Sequence, residues 1–322
     1  MFTKHVLTIE PAAETERIVR SLRQQVQKLL RRHGGVVGIS GGVDSSVVFA
    51  LCVRAFGRDK VVPVIMPDRD SDPASEQLAR QLASQFDVEP VLENITAALE
   101  GFGCYRRRDE AIRRVFPEYD PALGYKAKIV LPQNLLQTNT LNTFSVTIVR
   151  PDGTERSEPL AAREFLQIVA ASNLKQRTRM ATLYYHAELR NFAVIGTANK
   201  NEHDQGFFVK YGDAGVDIKA IGHLYKTQVY QLAAYLEIPK TIRERPPTSD
   251  TYSAACTQQE FFFRLPFDLM DLLWYAQEHK VPTAEVAQIM QLPEVQVQRA
   301  YEDFSRKFRT TNYLRMHPLE IN

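Results

Sequence analysis

The chain has 322 residues, 44% of them hydrophobic, enough for one large core or two modest ones without external staples. Forty basic against 38 acidic side chains leave a formal charge of +2, so no whole-molecule field argues for DNA, RNA or a membrane surface as partner. The three cysteines Cys52, Cys104 and Cys256 form no CxxC pair, the seven histidines form no HExxH, and no run of about 18 uncharged apolar residues occurs, which argues against a disulfide framework, a zinc site and a spanning helix; a cytoplasmic location is expected.

Residues 13–32 carry Ile18, Leu22, Val26 and Leu29 or Leu30 at three- and four-residue spacing, the pattern of an amphipathic helix. GGVVGIS is a short apolar strand ending in glycine, and a helix over 44–56 follows with Asp44 and Ser45 at its mouth. VVPVIMP reads as a second strand, SDPASEQLARQLASQFD as a helix entered through Ser71 or Asp72, and residues 87–99 as a further short strand and helix start. Strands that are apolar throughout and alternate with helices predict a parallel sheet covered on both faces.

From 101 to 130 charge and aromatics obscure the pattern, while 142–158 reads as a β-hairpin about Pro151-Asp152-Gly153. Segment 101–158 is therefore expected to be an insertion on the sheet domain. Helical spacing returns over 160–189, with Asn173 placed to begin a second helix, and 192–195 is a core strand that releases a polar loop. A helix starts near Lys226, Pro239, Pro246 and Pro247 interrupt the chain after it, and the tail from Gln258 is mostly helical. The expected division is an α/β domain over 1–255 and a helical extension over 256–322.

The stretch GISGGVDSS, residues 38–46, lies between the first strand and its helix. Such a turn presents unpaired backbone N–H groups which, with the helix dipole, form an anion cradle; Gly38, Gly41 and Gly42 allow close approach, and Ser40, Ser45 and Ser46 add hydroxyls. A plain capped turn uses the same residue types. Asp44 is a poor phosphate partner unless a cation lies between, so an acid at this place implies Mg²⁺. The lysine of the nucleoside triphosphatase loop and the GxGxxG spacing are both absent. SGGVDS resembles the SGGxDS signature of the adenine nucleotide α-hydrolase type of ATP ligases, which implies a Rossmann-like α/β fold and a site for the pyrophosphate of ATP.

Further along, NLKQRTRM (173–180), GTANKNE (196–202), VKYGDAGVD (209–217), LYKTQ (224–228) and PPTSD (246–250) stand in the order of the corresponding motifs of the ammonia-dependent NAD synthases, which the chain resembles. The resemblance implies ATP-dependent amidation of deamido-NAD by ammonia through an acyl-adenylate, on a homodimer. It assigns the metal to Asp44 and Glu202, ATP contacts to Thr197, Lys226 and Thr248, acceptor contacts to Arg177, Arg179, Lys210 and Asp217, and catalytic roles to Asp44 and Lys210; Asp213 is the candidate for orienting or deprotonating ammonia. Asp213 beside Gly212 also suits a turn. The chain departs from the family at Val209, Ala214, Ala220 and Gln259-Glu260, segments expected to contact the acceptor, whereas the first loop and the metal acids match. Phe261, Phe262 and Phe263 suit an apolar acceptor wall or a core. Alternatives are a ligase for another carboxylic acid, a non-catalytic nucleotide-binding relative, and a tRNA-binding cousin reading the run Tyr105-Arg106-Arg107-Arg108; near-neutral charge disfavours the last.

Overall fold

The structure is a computed structural model and describes residues 2–132, 135–137, 143–249 and 251–321. Its centre is a five-stranded, all-parallel sheet in which β1 (Gly35–Gly38) lies between β2 (Val61–Ile65) and β7 (Ala193–Gly196), with β3 (Val91–Leu92) and β8 (Ile218–Lys219) at the edges. The three central strands β1, β2 and β7 are apolar at every position because both faces of the sheet are covered there, whereas edge strand β8 ends on the exposed Lys219. Val37, Ile65 and Ile195 join the core under α1 (Pro11–Arg23), α2 (Val43–Phe56), α3 (Pro73–Gln85) and α8 (Lys226–Tyr235), while Val36, Val64 and Val194 meet α6 (Ala162–Arg190) on the opposite side. The expected sheet covered on both faces is present.

From β1 the chain first winds outward through α2 to β2 and through α3 to β3. It then returns to build β7 and β8 on the other flank. The connections after β1 and β7 therefore diverge, and a crevice opens between them at the carboxyl edge of the sheet, where open α/β sheets take ligands.

Between β3 and α6 lie α4 (Thr96–Gly101), α5 (Cys104–Val115) and an antiparallel sheet of β4 (Lys126–Val130), β5 (Ser145–Val149) and β6 (Glu155–Pro159). The hairpin about Pro151-Asp152-Gly153 forms, closed by the Arg150 and Thr154 backbones; its expected first residue, Asn142, is outside the described set. The sequence pattern missed α5 because its inward face is ionic. Arg108 pairs with Asp70 in a short contact and with Asp109 at 2.8 Å, and Lys175 of α6 donates to Asp68 at 3.0 Å and to Asp70 at 2.8 Å. The Lys175 and Asp68 side chains are 1% and 0% exposed. Tyr105 and Arg108 thus face inward, so the aromatic-basic run is not a free RNA-facing stripe.

Asn173 begins no new helix: α6 runs unbroken for 29 residues. Its first half packs on the antiparallel sheet through Phe165, Ile168 and Val169, and its second on the parallel sheet through Met180, Leu183 and Ala187. Two differently directed partners along one helix blur any single apolar stripe.

Beyond α7 (Lys200–Gln205), α8 and α9 (Lys240–Arg243), helices α10 (Phe267–Glu278), α11 (Thr283–Met290) and α12 (Glu294–Thr310) bury Phe263, Trp274, Val297 and Phe304 together with Phe2 and Leu7, and the short α13 (Asn312–Arg315) follows. The α12–α13 junction closes over the end of α7. Thr311 Oγ1 donates to the Gln205 carbonyl at 3.4 Å, and Arg315 Nη1 donates to the carbonyls of His203 and Asp204 at 3.1 and 3.2 Å. Gly206 has φ +82°, and a Cβ there would lie 2.3 Å from Thr311. Gly206→Ala is expected to cost about 1–3 kcal/mol, because backbone strain and overpacking coincide. Urea unfolding measures the loss, and limited proteolysis should find the 306–316 segment opened first.

Candidate active site

A cavity of about 850 Å³ occupies the crevice at the ends of β1 and β7. Its floor is the start of α2, where Gly42 is the N-cap and no side chain caps the helix, leaving first-turn N–H groups without an intrahelical partner. Gly38, Ser40, Gly42, Asp44 and Ser45 line this floor. The Ser40 and Ser45 hydroxyls lie 3.3 Å apart, and Ser45 Oγ donates to the Gly42 carbonyl at 3.0 Å. Two expected members of the cradle act from behind it. Ser46 is buried and donates to the Gly42 carbonyl at 2.8 Å, and Gly41 takes φ +71° where a Cβ would meet the Ser75 carbonyl at 2.6 Å. Gly41 therefore shapes the turn and Ser46 ties it to the helix.

Two acids converge on this floor. Asp44 comes from the first turn of α2 and Glu202 from the first turn of α7, reached through the polar loop that leaves β7. Asn199 joins them: its Nδ2 donates to Asp44 Oδ1 at 3.0 Å while its Oδ1 accepts from the Glu202 N–H at 3.1 Å. Lys226, fully buried at the start of α8, donates to the other Asp44 oxygen in a short contact. Burial lowers the Lys226 ammonium, but the Asp44 and Glu202 carboxylates outweigh it and leave its pKa raised. Burial, and then the charge of Asp44, push the Glu202 carboxyl up to about 8.

Sequence reasoning missed the supports of this group. Gln258 Nε2 donates to Glu202 Oε1 at 3.2 Å. Asp271 of α10 accepts from the Thr227 N–H at 2.7 Å and from Asn201 in a short contact, holding the starts of α7 and α8 together. Asn199 and Asn201 were inside a quoted motif, whereas Asp271 had no local signal, since its partners lie 44 and 70 positions away in sequence.

The remaining expected residues divide. Thr197, Thr248, Arg179 and Asp213 line the cavity. Arg179 is held by the Met66 carbonyl at 3.2 Å and Asp68 at 3.1 Å. Burial raises the Asp213 carboxyl to about 6, while Oδ1 accepts from the Val209 N–H at 2.6 Å, so the turn reading is present too. Lys210 is absent from the cavity wall: its ammonium donates to the carbonyls of Tyr313 and Met316 at 3.1 and 2.9 Å, drawn outward by groups past the end of α12. Arg177 points to the Lys210 carbonyl at 3.3 Å and is likewise off the wall. Asp217 is also off the wall, accepting from the Val194 N–H at 2.8 Å and from Tyr184 at 2.9 Å, which ties the approach to β8 onto β7. Phe261 and Phe262 reach the cavity and Phe263 is fully buried, so the triplet serves both wall and core. Asp250 of the last motif is outside the described residues.

The profile of the family described as NAD synthase matches residues 14–113 and 133–313. The chain belongs to the NAD synthase family. It is 50% identical over 314 residues to the NH(3)-dependent NAD(+) synthetase of Mesorhizobium japonicum, covering 98% of each chain, and 47% identical over 318 residues to that of Rhizobium meliloti, covering 99% of this chain and 94% of the relative. Among solved structures, an NH3-dependent NAD synthetase from Campylobacter jejuni superposes with a TM-score of 0.62 at 21% identity, over 98% of this chain and all of the other. An NMN synthetase from Francisella tularensis gives a TM-score of 0.61 at 21% identity with the same coverage. These superpositions bear out the NAD synthase fold and its adenine nucleotide α-hydrolase architecture. The departures at Val209 and Ala214 sit in the loop of Asp213, whose two ends Lys210 and Asp217 face away from the cavity in this NAD synthase chain.

Asp217→Ala leaves the buried Val194 N–H without its acceptor, so it is expected to cost about 1–3 kcal/mol of stability while leaving acceptor affinity unchanged. Urea unfolding beside a KM measurement separates the two; a large KM rise at unchanged stability would restore the ligand-contact role.

Proposed function

We propose that this chain joins ammonia to the free carboxylate of deamido-NAD at the expense of ATP, giving NAD, AMP and pyrophosphate through an acyl-adenylate. The observation that carries the reading is the uncapped start of α2 at the switch point of the sheet, with Asp44 and Glu202 beside it. The near-full-length relatives support the choice of acceptor. The fold alone does not, since solved structures of almost equal likeness are named for NAD and for NMN.

In this reading the substrate carboxylate attacks the α-phosphorus and pyrophosphate departs into the first-turn N–H groups of α2 and the hydroxyls of Ser40 and Ser45. Ammonia then attacks the acyl-adenylate carbonyl and AMP leaves. Asp213 is the carboxylate in place to take a proton from the incoming nitrogen, since burial raises it to about 6 on the cavity wall. Lys226 keeps Asp44 in register and lines the cavity, where its ammonium can also meet phosphate. Arg179, Thr197 and Thr248 contact ligand, while Lys210, Arg177 and Asp217 are left out of the assignment.

Asp44 and Glu202, two acids beside a phosphate cradle and near enough for the charge of the first to raise the carboxyl of the second, fit magnesium. Among the described residues no group of three His, Cys, Asp or Glu could cage a metal, which suits an ion that takes one or two carboxylates and completes its shell with phosphate oxygens and water. Asp44 and Glu202 would hold it, and it would supply neutralisation of phosphate charge. We also propose a homodimer in the cytoplasm, with residues 1–255 as the ligase unit and 256–322 as a helical extension. Exposed Tyr185 and Leu189 on α6 suit association, and among the described residues no helix is long and apolar enough to cross a membrane.

Incubating the protein with ATP, ammonium and a panel of carboxylic acids tests the reading. AMP formation that requires deamido-NAD is expected; AMP with a different acid alone would mean another acceptor, and none from folded protein would mean a nucleotide-binding relative. Asp44→Asn is expected to abolish AMP formation and magnesium dependence while circular dichroism stays that of the wild type; full turnover in D44N would remove the metal role.

A further inference from the structure

The rim of the cavity between α9 and the bridge that pairs Thr248 with Thr257 is formed by Arg245, Pro246, Pro247 and Thr248. Arg245, with its side chain 18% exposed, crosses from this rim to the first turn of α3. Nη2 donates to Asp72 Oδ2 at 2.9 Å and Nη1 to Ser75 Oγ at 3.1 Å. Asp72 is itself fixed as the N-cap of α3, its Oδ1 accepting from the Ala74 N–H at 3.0 Å. The same turn of α3 supports the glycine loop from the other side, since it is the Ser75 carbonyl that leaves no room for a side chain at Gly41. One helical turn therefore touches both walls of the cavity. The two prolines that follow Arg245 have φ fixed near −65°, which leaves little slack between its anchored guanidinium and Thr248.

We infer that Arg245 is a positioning residue, pinning the Pro246–Thr248 rim over the nucleotide half of the cavity through Asp72 and Ser75. The inference rests on reading this cavity as the ATP site. A guanidinium that left Asp72 to bind phosphate directly would behave in the opposite way when Asp72 is neutralised, because it would be released toward the ligand.

The test is ATP affinity of the full-length protein by titration calorimetry. Asp72→Asn removes the charge and keeps the helix cap, since Asn caps as well as Asp. D72N and Arg245→Gln are each expected to weaken ATP binding about fivefold at unchanged melting temperature, the order expected for a partly exposed charged pair. The double variant should be no weaker than the poorer single one, and Arg245→Lys should recover part of the loss. Ser75→Ala, which deletes one bond without altering charge, provides a second variant with the same expected direction should R245Q fold poorly. ATP binding in D72N as tight as in the wild type or tighter, or losses that simply add, would overturn the inference. A wild-type protein that binds no ATP would instead sink the reading of the cavity itself, and this inference with it.

Discussion

The buried ammonium of Lys226 makes demands that the rest of the site meets. Taking a charge out of water costs several kcal/mol, so Lys226 persists at 0% exposure only with carboxylates around it, and these come from separate parts of the chain: Asp44 on α2 and Glu202 on α7. For the three to meet, the loops after β1 and β7 must open toward one another, which the strand order provides by reversing direction between them. Asn199 and Asp271 then remove the remaining freedom, the first by bridging the two acids and the second by tying α7 to α8. The acids stand beside an uncapped helix start as a result of this packing, and a phosphate cradle with acid at its lip follows.

The elements legible in the sequence were those whose physical signal is local. The apolar strands, the glycine turn and the helix after it depend on neighbours within a few positions, and they appear where expected. The orientation of side chains in a shared motif is another matter. Lys210 and Asp217 belong to one stretch with Asp213, yet one is captured by carbonyls near residue 313 and the other by the backbone of β7, while Asp213 lines the cavity together with Val209 and Val216. Spacing names a residue type at a place; the partner that turns it inward or outward is remote in sequence, 23 positions away for Asp217 and 106 for Lys210. Asp271 was invisible for the same reason.

The insertion expected over 101–158 shows a related limit. Periodicity assumes that a buried helix face is apolar. In α5 that face carries Tyr105, Arg108 and Asp109, so the helix was obscured by the charges that dock it. The long helix α6 was divided at Asn173 in the sequence pattern because its two halves face different sheets, although its backbone does not notice the change of partner.

Those interlocked charges bear on how the segment between β3 and α6 could be exchanged among relatives. Asp68 and Asp70 leave the end of β2, Arg108 and Asp109 ride on α5, and Lys175 and Arg179 belong to α6. Deleting a buried member such as Lys175 or Arg108 unbalances the charges that remain, whereas trading a buried ion set for hydrocarbon of similar volume can be neutral. A graft of this segment onto another sheet would therefore have to carry the matching ends of β2 and α6 with it, and drift within it must proceed by paired charge reversals or concerted loss.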